Sequence, residues 1–292
     1  MGFKRIDFSI KNDISELPEL ELYFSLNEAQ LRHIYEPELG LFVVESPMVI
    51  ERALIAGYEP KSFVMLDTVE EEMCRRFEDI MKPGLETEIP VYVSDYETIA
   101  GLTGVNITRG VLALMKRRPL PDLGQVTRGC SRIAVLDDIE NPTNVGALFR
   151  SAVALGIEAL ILTGSSSDPL YRRASRVSVG NVFMTKWTKL SDRNQPPATY
   201  IKELQALGFK TAAMALSDTA VDIRDERLKN EERLAIILGN EGVGLSDEVI
   251  RESDYVVKSP MTEGVDSLNV AAASAVAFWE MRGKANHFFN VS

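Results

Sequence analysis

From residue 41 onward the chain alternates short, continuous apolar runs with stretches of helical spacing. LFVV at 41–44, SFVML at 62–66, PVYV at 90–93 and VLALM at 111–115 predict strands, with helices over 47–57, 68–81 and 96–102 between them. The stretch KRRPLPDLGQVTRGCS at 116–131 has two prolines, two glycines and no apolar period, so it predicts a linker with a boundary near residue 125. Alternation then resumes. IAVLDD at 133–138, ALIL at 159–162, TAAMAL at 211–216, LAIIL at 234–238 and YVVK at 255–258 predict strands, with helices over 144–155 and 267–282. Runs apolar at every position predict strands covered on both faces, hence an α/β fold with largely parallel sheets. Helical spacing around 19–34 predicts an N-terminal helical extension over 1–35. The expected domains are therefore 1–35, 36–125 and 126–292.

Composition narrows the class. Of 292 residues, 45% are apolar, enough to bury a core and exclude wholesale disorder. No run approaches the roughly 18 apolar residues of a membrane helix, and the start carries charges rather than an apolar signal segment. A soluble, cytoplasmic protein is expected. Two cysteines, Cys74 and Cys130, exclude a disulfide scaffold and a zinc pattern, and two histidines, His33 and His287, leave little for a metal or relay site. The net charge of −11 argues at first against nucleic acid, but it is unevenly spread: −12 over 1–100, +6 over 101–200 and −5 over 201–292. Phosphate contacts depend on local Lys and Arg clusters, so an RNA or nucleotide partner is allowed.

Three loops carry the candidate chemistry. After the strand at 133–138 comes Asn141-Pro142-Thr143-Asn144-Val145-Gly146, with Asn144 expected to cap a helix that presents Arg150. The strand at 234–238 runs into Gly239-Asn240-Glu241-Gly242-Val243-Gly244, beyond a strand carboxyl end, where open α/β sheets bind ligands. It lacks the lysine of a P-loop and the spacing of a dinucleotide loop. The third loop, Ser259-Pro260-Met261 through Ser267-Leu268-Asn269, opens the last helix. Each loop alone also fits plain capping or a glycine turn.

Together, in this order, the three resemble the SpoU (TrmH-type) branch of the SPOUT RNA methyltransferases. Asn144, Gly146 and Arg150 match its N-x-G-x-x-x-R motif. Gly239 to Gly244 match G-N-E-G-x-G, Pro260 and Met261 with Ser267 to Ala271 match its P-M…S-L-N-V-A element, and Arg176-Val-Ser178-Val-Gly180 is similar to its R-x-S-x-G segment. The likeness covers 131–283 well and 38–118 more weakly. It departs at Ser259, where the family has an aliphatic residue, and at Ser46, where it has glycine.

The resemblance implies a C-terminal trefoil-knotted methyltransferase domain preceded by a small α/β substrate-binding domain, working as a homodimer without metal or membrane. It implies S-adenosylmethionine as cofactor, held by Met214, Ala215, Gly239, Gly242, Ser259, Met261 and Leu268. The implied reaction is methylation of a ribose 2′-OH in rRNA or tRNA. Arg150 is the implied catalytic residue, with Asn144, Glu241, Ser267 and Asn269 orienting it and the ribose. Arg109, Arg172, Arg173 and Arg176 are implied RNA contacts. The alternative is a non-catalytic RNA-binding or assembly protein on the same fold.

Overall fold

The structure, a computed structural model, describes residues 2–9, 17–24, 40–81, 88–103, 109–190, 198–262 and 268–283; His33, Ser267 and His287 lie outside them. The chain divides into two compact units, 1–119 with 170–184, and 120–169 with 185–292, rather than at one point near residue 125.

The first unit is built on a five-stranded sheet of order β1-β4-β3-β5-β2. Its strands are β1 (Phe3–Asp7), β2 (Leu41–Glu45), β3 (Pro60–Leu66), β4 (Ile89–Ser94) and β5 (Val111–Lys116). β5 runs antiparallel to both β3 and β2, so this sheet is mixed. Apolar runs report burial, not strand direction, which is why the alternation alone suggested a more parallel arrangement. The N-terminal segment is not a detached helical extension. β1 is an edge strand parallel to β4, with Phe3 edge-on to Phe63 at 5.6 Å, and the short helix α1 (Pro18–Phe24) buries Leu20 and Tyr23 in the core. Tyr23 Oη donates to the Ser62 carbonyl at 2.8 Å. Charged Lys4 and Arg5 hide this strand in the sequence, as is common at sheet edges.

Helix α2 (Pro47–Ile55) follows β2 directly, and its N-cap, Ser46, has φ 87° and ψ 142°. That backbone region is close to glycine-only and costs about 1–3 kcal/mol for other residues. The remaining helices here are α3 (Glu70–Ile80), α4 (Tyr96–Thr103) and, from the 170–184 segment, α7 (Arg172–Val177), which packs on β2. Gly180, just after α7, has φ 79°, and an added Cβ would sit 3.0 Å from Arg52 Cδ and 3.4 Å from the Val49 backbone on α2. Close packing against α2 thus explains this glycine.

The second unit carries seven parallel strands of order β10-β12-β9-β11-β6-β7-β8. They are β6 (Arg132–Asp137), β7 (Ala159–Thr163), β8 (Lys186–Lys189), β9 (Lys210–Met214), β10 (Val221–Asp222), β11 (Leu234–Leu238) and β12 (Tyr255–Lys258). The expected linker is partly packed structure: α5 (Leu123–Val126) is closed by a capping box between Asp122 and Gln125, and Leu123, Val126 and Cys130 join the core. Proline and glycine mark where regular structure breaks, not where packing stops. Helices α6 (Pro142–Ala154) and α11 (Val270–Glu280) pack against each other; α8 (Thr199–Ala206), α9 (Glu226–Asn230) and α10 (Asp247–Glu252) complete the unit. Among the described residues no helix is long and apolar enough to cross a membrane.

At the start of β6, Arg132 is only 2% exposed and donates to five carbonyl oxygens, those of Ser131, Lys229, Glu231, Glu232 and Met281, at 2.8–3.3 Å. Beside it, Glu158 accepts from the N–H groups of Ser131 and Arg132 at 2.6 and 2.9 Å and from Ser131 Oγ at 2.9 Å. Burial pushes the Glu158 carboxyl up, but these hydrogen bonds outweigh it and hold it below its ordinary value.

Two outcomes are expected. Ser46→Gly raises stability by about 1 kcal/mol in urea unfolding, because strain relief exceeds the entropy that glycine adds to the unfolded chain. A carboxyl with a depressed folded pKa stabilises above its unfolded pKa and stops doing so as pH falls through the folded value. Glu158→Gln therefore lowers stability by about 1 kcal/mol at neutral pH, after allowance for solvent screening, and the deficit closes below about pH 4.

Candidate functional site

The carboxyl ends of the central strands bring the three loops together within the second unit. Leaving β6, Asp138 adopts φ 57°, tolerated by aspartate in the left-handed region. Its Oδ1 accepts from Ser165 N at 2.7 Å and Ser165 Oγ at 3.0 Å, in the loop after β7. Gly164 has φ 53°, and a Cβ there would displace the Asp138 carboxylate from these bonds, so both backbone and space favour glycine. Ser166 Oγ donates to the Leu136 carbonyl at 2.9 Å and accepts from Ile139 N at 3.0 Å, fixing the same turn.

The cap of α6 is Asn141, not Asn144: Asn141 Oδ1 accepts from Thr143 N at 2.9 Å, and Pro142 occupies the first turn. Proline suits that position because its missing N–H would have no helical partner. Asn144 lies inside the helix, buried, and its Nδ2 donates to Glu241 Oε1. Arg150, on the same helix, is exposed and has no hydrogen bond or ion pair among the described residues.

After β11 the chain turns through a loop organised by Asn240. Its Nδ2 donates to the Asp138 carbonyl at 2.9 Å, and its Oδ1 accepts from Gly242 N at 2.8 Å and Val243 N at 3.3 Å. Gly244 N returns to the Asn240 carbonyl at 2.8 Å. A Cβ on Gly239 would meet Gly244 C at 2.7 Å and Leu245 N at 2.8 Å, both backbone atoms, so this position admits only glycine without rearrangement. Asn240 belongs to the G-N-E-G-x-G motif but is not among the residues expected at the site. An Asn directly after a glycine at a strand end, with a second glycine two residues on, is an Asx-turn signal that marks it. Ser246 caps α10, its Oγ accepting from Val249 N at 3.3 Å.

The loops after β9, β11 and β12 line a cavity of about 390 Å³ at the ends of those strands. Met214, Ala215, Gly239, Gly242, Ser259, Met261 and Leu268 all line it, as does Glu241. Leu216, Val243 and Leu268 stand exposed at this cavity, Val243 to 85%. Asn144, Arg150 and Asn269 are not in the lining. Asn269 caps α11, its Oδ1 accepting from Ala271 N at 3.0 Å. Ser267 falls outside the described residues.

The four arginines read as RNA contacts belong to the first unit. Arg172 and Arg176 close on the buried Glu45, with Arg172 Nε at 3.5 Å and Arg176 Nη1 at 3.2 Å. Arg109 is exposed and unpaired among the described residues, and Arg173 is exposed. Burial pushes the Cys74 thiol up to about 11 and raises Cys130 as well, so both stay protonated near neutrality. Trp279 is 51% exposed on α11, with the Arg282 guanidinium 3.4 Å from its ring centroid. No group of three or more potential metal-ligating side chains occurs among the described residues.

Asn240→Ala removes three hydrogen bonds at once. It is expected to lower stability by about 1–3 kcal/mol and to speed amide exchange at Gly242 and Val243, while exchange in the β11 interior stays unchanged. Asn240→Asp, which keeps the acceptor and loses the donor, falls between.

The model of the SpoU rRNA Methylase family matches residues 131–279, the span that holds all three loops. An uncharacterized tRNA/rRNA methyltransferase of Mycobacterium tuberculosis is 31% identical over 271 residues, 92% of this chain and 90% of its own. Bacillus subtilis RlmP, a 23S rRNA (guanosine(2553)-2′-O)-methyltransferase, is 26% identical over 83% of this chain and 88% of its own. An AdoMet-bound rRNA methyltransferase from Sinorhizobium meliloti has the same fold, with a TM-score of 0.76 at 23% identity over 95% of this chain and 97% of that one. With a family model matching 131–279 and a relative alike over nearly its whole length, the chain belongs to the SpoU rRNA methylase family.

Proposed function

We propose that this protein transfers a methyl group from S-adenosylmethionine to a ribose 2′-OH of rRNA or tRNA. One observation carries the reading: the seven residues marked as cofactor contacts line a single cavity at the carboxyl ends of parallel strands. The cavity also fits the cofactor chemically. Exposed Leu216, Val243 and Leu268 offer apolar cover for a flat nucleobase, while the glycine loop presents backbone polar groups at close range. Met214, Ala215, Gly239, Gly242, Ser259, Met261 and Leu268 would hold it. When bound, S-adenosylmethionine supplies an electrophilic methyl carbon on a sulfonium sulfur.

The remaining work falls to this chain's side chains. A ribose hydroxyl is a poor nucleophile, so the site must orient it and favour loss of its proton. Arg150 acts by orienting a phosphate and stabilising the developing alkoxide, a task its planar, fixed-charge fork suits. Asn144 holds the Glu241 carboxylate, and Ser267 and Asn269 complete the ribose-facing set. Because Arg150 stands outside the cavity lining of its own chain, the reading includes a homodimer in which a second copy brings it to the site. The exposed Ala272, Val276 and Trp279 of α11, spaced four and three residues apart on one face, support such a contact. The C-terminal segment is read as the trefoil knot of the family.

Titration calorimetry with S-adenosylmethionine is expected to show saturable binding near one per subunit, and Gly239→Ala to weaken it by about tenfold or more. Arg150→Ala keeps that binding and lowers methyl transfer to bulk RNA by about 100-fold or more. Turnover near wild type in Arg150→Ala would remove its role; no cofactor binding by the wild type would leave a non-catalytic RNA-binding protein.

A further inference from the structure

A second cavity, of about 280 Å³, lies wholly within the first unit and is lined by Glu45, Ser46, Val49, Arg109, Arg176 and Val179. Two of its six walls are strained. Ser46 has φ 87° and Val179 φ 56°, and a β-branched residue with positive φ is a genuine outlier. Residues held this way carry backbone strain and gather at binding and catalytic sites. The surrounding structure enforces the strain: Arg52 Nη1 donates to the Val179 carbonyl at 2.6 Å and to Asn181 Oδ1 at 2.7 Å.

The charges are arranged to leave a positive surplus. Glu45 is 3% exposed, and Arg172 and Arg176 together neutralise it with one charge to spare. Arg176 spends only Nη1 on Glu45, its side chain is 52% exposed, and its other guanidinium nitrogens have no partner among the described residues. Arg109 adds a second charge with no ion-pair partner among the described residues. A buried carboxylate that fixes one edge of a guanidinium and leaves the other open preorganises an anion site. A volume of about 280 Å³ accommodates one sugar-phosphate unit.

We infer that this cavity binds one phosphodiester of the RNA substrate, with Arg109 and the open edge of Arg176 as its ligands and Glu45 as the positioning residue. The inference rests on the RNA-methyltransferase reading for the identity of the polyanion. A phosphate held here engages the RNA backbone without reading its sequence.

The test measures binding of a fluorescein-labelled RNA stem-loop over a salt series, beside calorimetry with S-adenosylmethionine. Arg109→Gln is expected to reduce the slope of log K against log salt by about 0.7–0.9, with cofactor affinity unchanged. Glu45→Gln removes a negative charge, which by charge alone would tighten RNA binding. As a positioning residue it instead weakens binding and reduces the slope, with thermal unfolding recorded to confirm the fold. Unchanged slopes in both Arg109→Gln and Arg176→Gln overturn the inference. So does a slope unchanged while Arg109→Gln abolishes stabilisation by inorganic phosphate, which would make this a small-anion site. Failure of the wild type to bind S-adenosylmethionine while the slopes change would instead sink the methyltransferase reading alone.

Discussion

The second unit hangs on a buried guanidinium. Arg132 opens β6, the strand between β11 and β7, and spends all its donor groups on five carbonyls from four parts of the chain. Those carbonyls come from the residue before β6, the end of α9 and the turn into β11, and the last turn of α11. Burial pushes the guanidinium pKa down, with Glu158 and Glu231 opposing. No apolar residue could replace it without stranding those acceptors in a dry interior. Its planar fork also lets one side chain answer so many acceptors, which an ammonium could not.

The other end of β6 is held just as firmly, by small polar groups. Asp138 ties the loop after β6 to the loop after β7, and Asn240 ties it to the loop after β11. Asn144 reaches from α6 to Glu241 in that same loop. In a parallel sheet every strand delivers its following loop to one edge, so such bonds need cross only short gaps. Two glycines follow from this crowding: a Cβ at 164 would meet Asp138 of the loop after β6, and one at 239 would meet the backbone of its own loop at Gly244 and Leu245. The cavity is thus framed by loops that hold each other, a preorganised wall rather than a collapsible one.

An acidic chain with an RNA partner ceases to be a contradiction once charge is placed in space. Most of the negative charge lies on solvated surfaces, where screening reaches about 8–10 Å and distant charges count for little. Among the described residues of the first unit the single buried carboxylate, Glu45, is outnumbered by Arg172, Arg176 and Arg109. Net charge bears on solubility and approach; local groups decide what is held.

The sequence by itself determined the apolar strands, the loops at their carboxyl ends and the residues that line the cavity. These are local matters: a run such as LAIIL can be satisfied only by burial, and G-N-E-G-V-G only by a tight turn. It did not expose β1, whose Lys4 and Arg5 lack a strand signature, nor the packing of Leu123, Val126 and Cys130 inside a stretch that reads as a linker. It misassigned the cap of α6 because Asn141 and Asn144 are chemically alike, and only the backbone geometry at Pro142 separates them. Strand direction, the return of 170–184 to the first unit, the Asn240 and Arg132 networks and the pairing of Arg172 and Arg176 with Glu45 were decided by tertiary structure. Each joins residues from about 25 to 150 positions apart, and local propensity carries no information about which distant partner will satisfy a buried polar group.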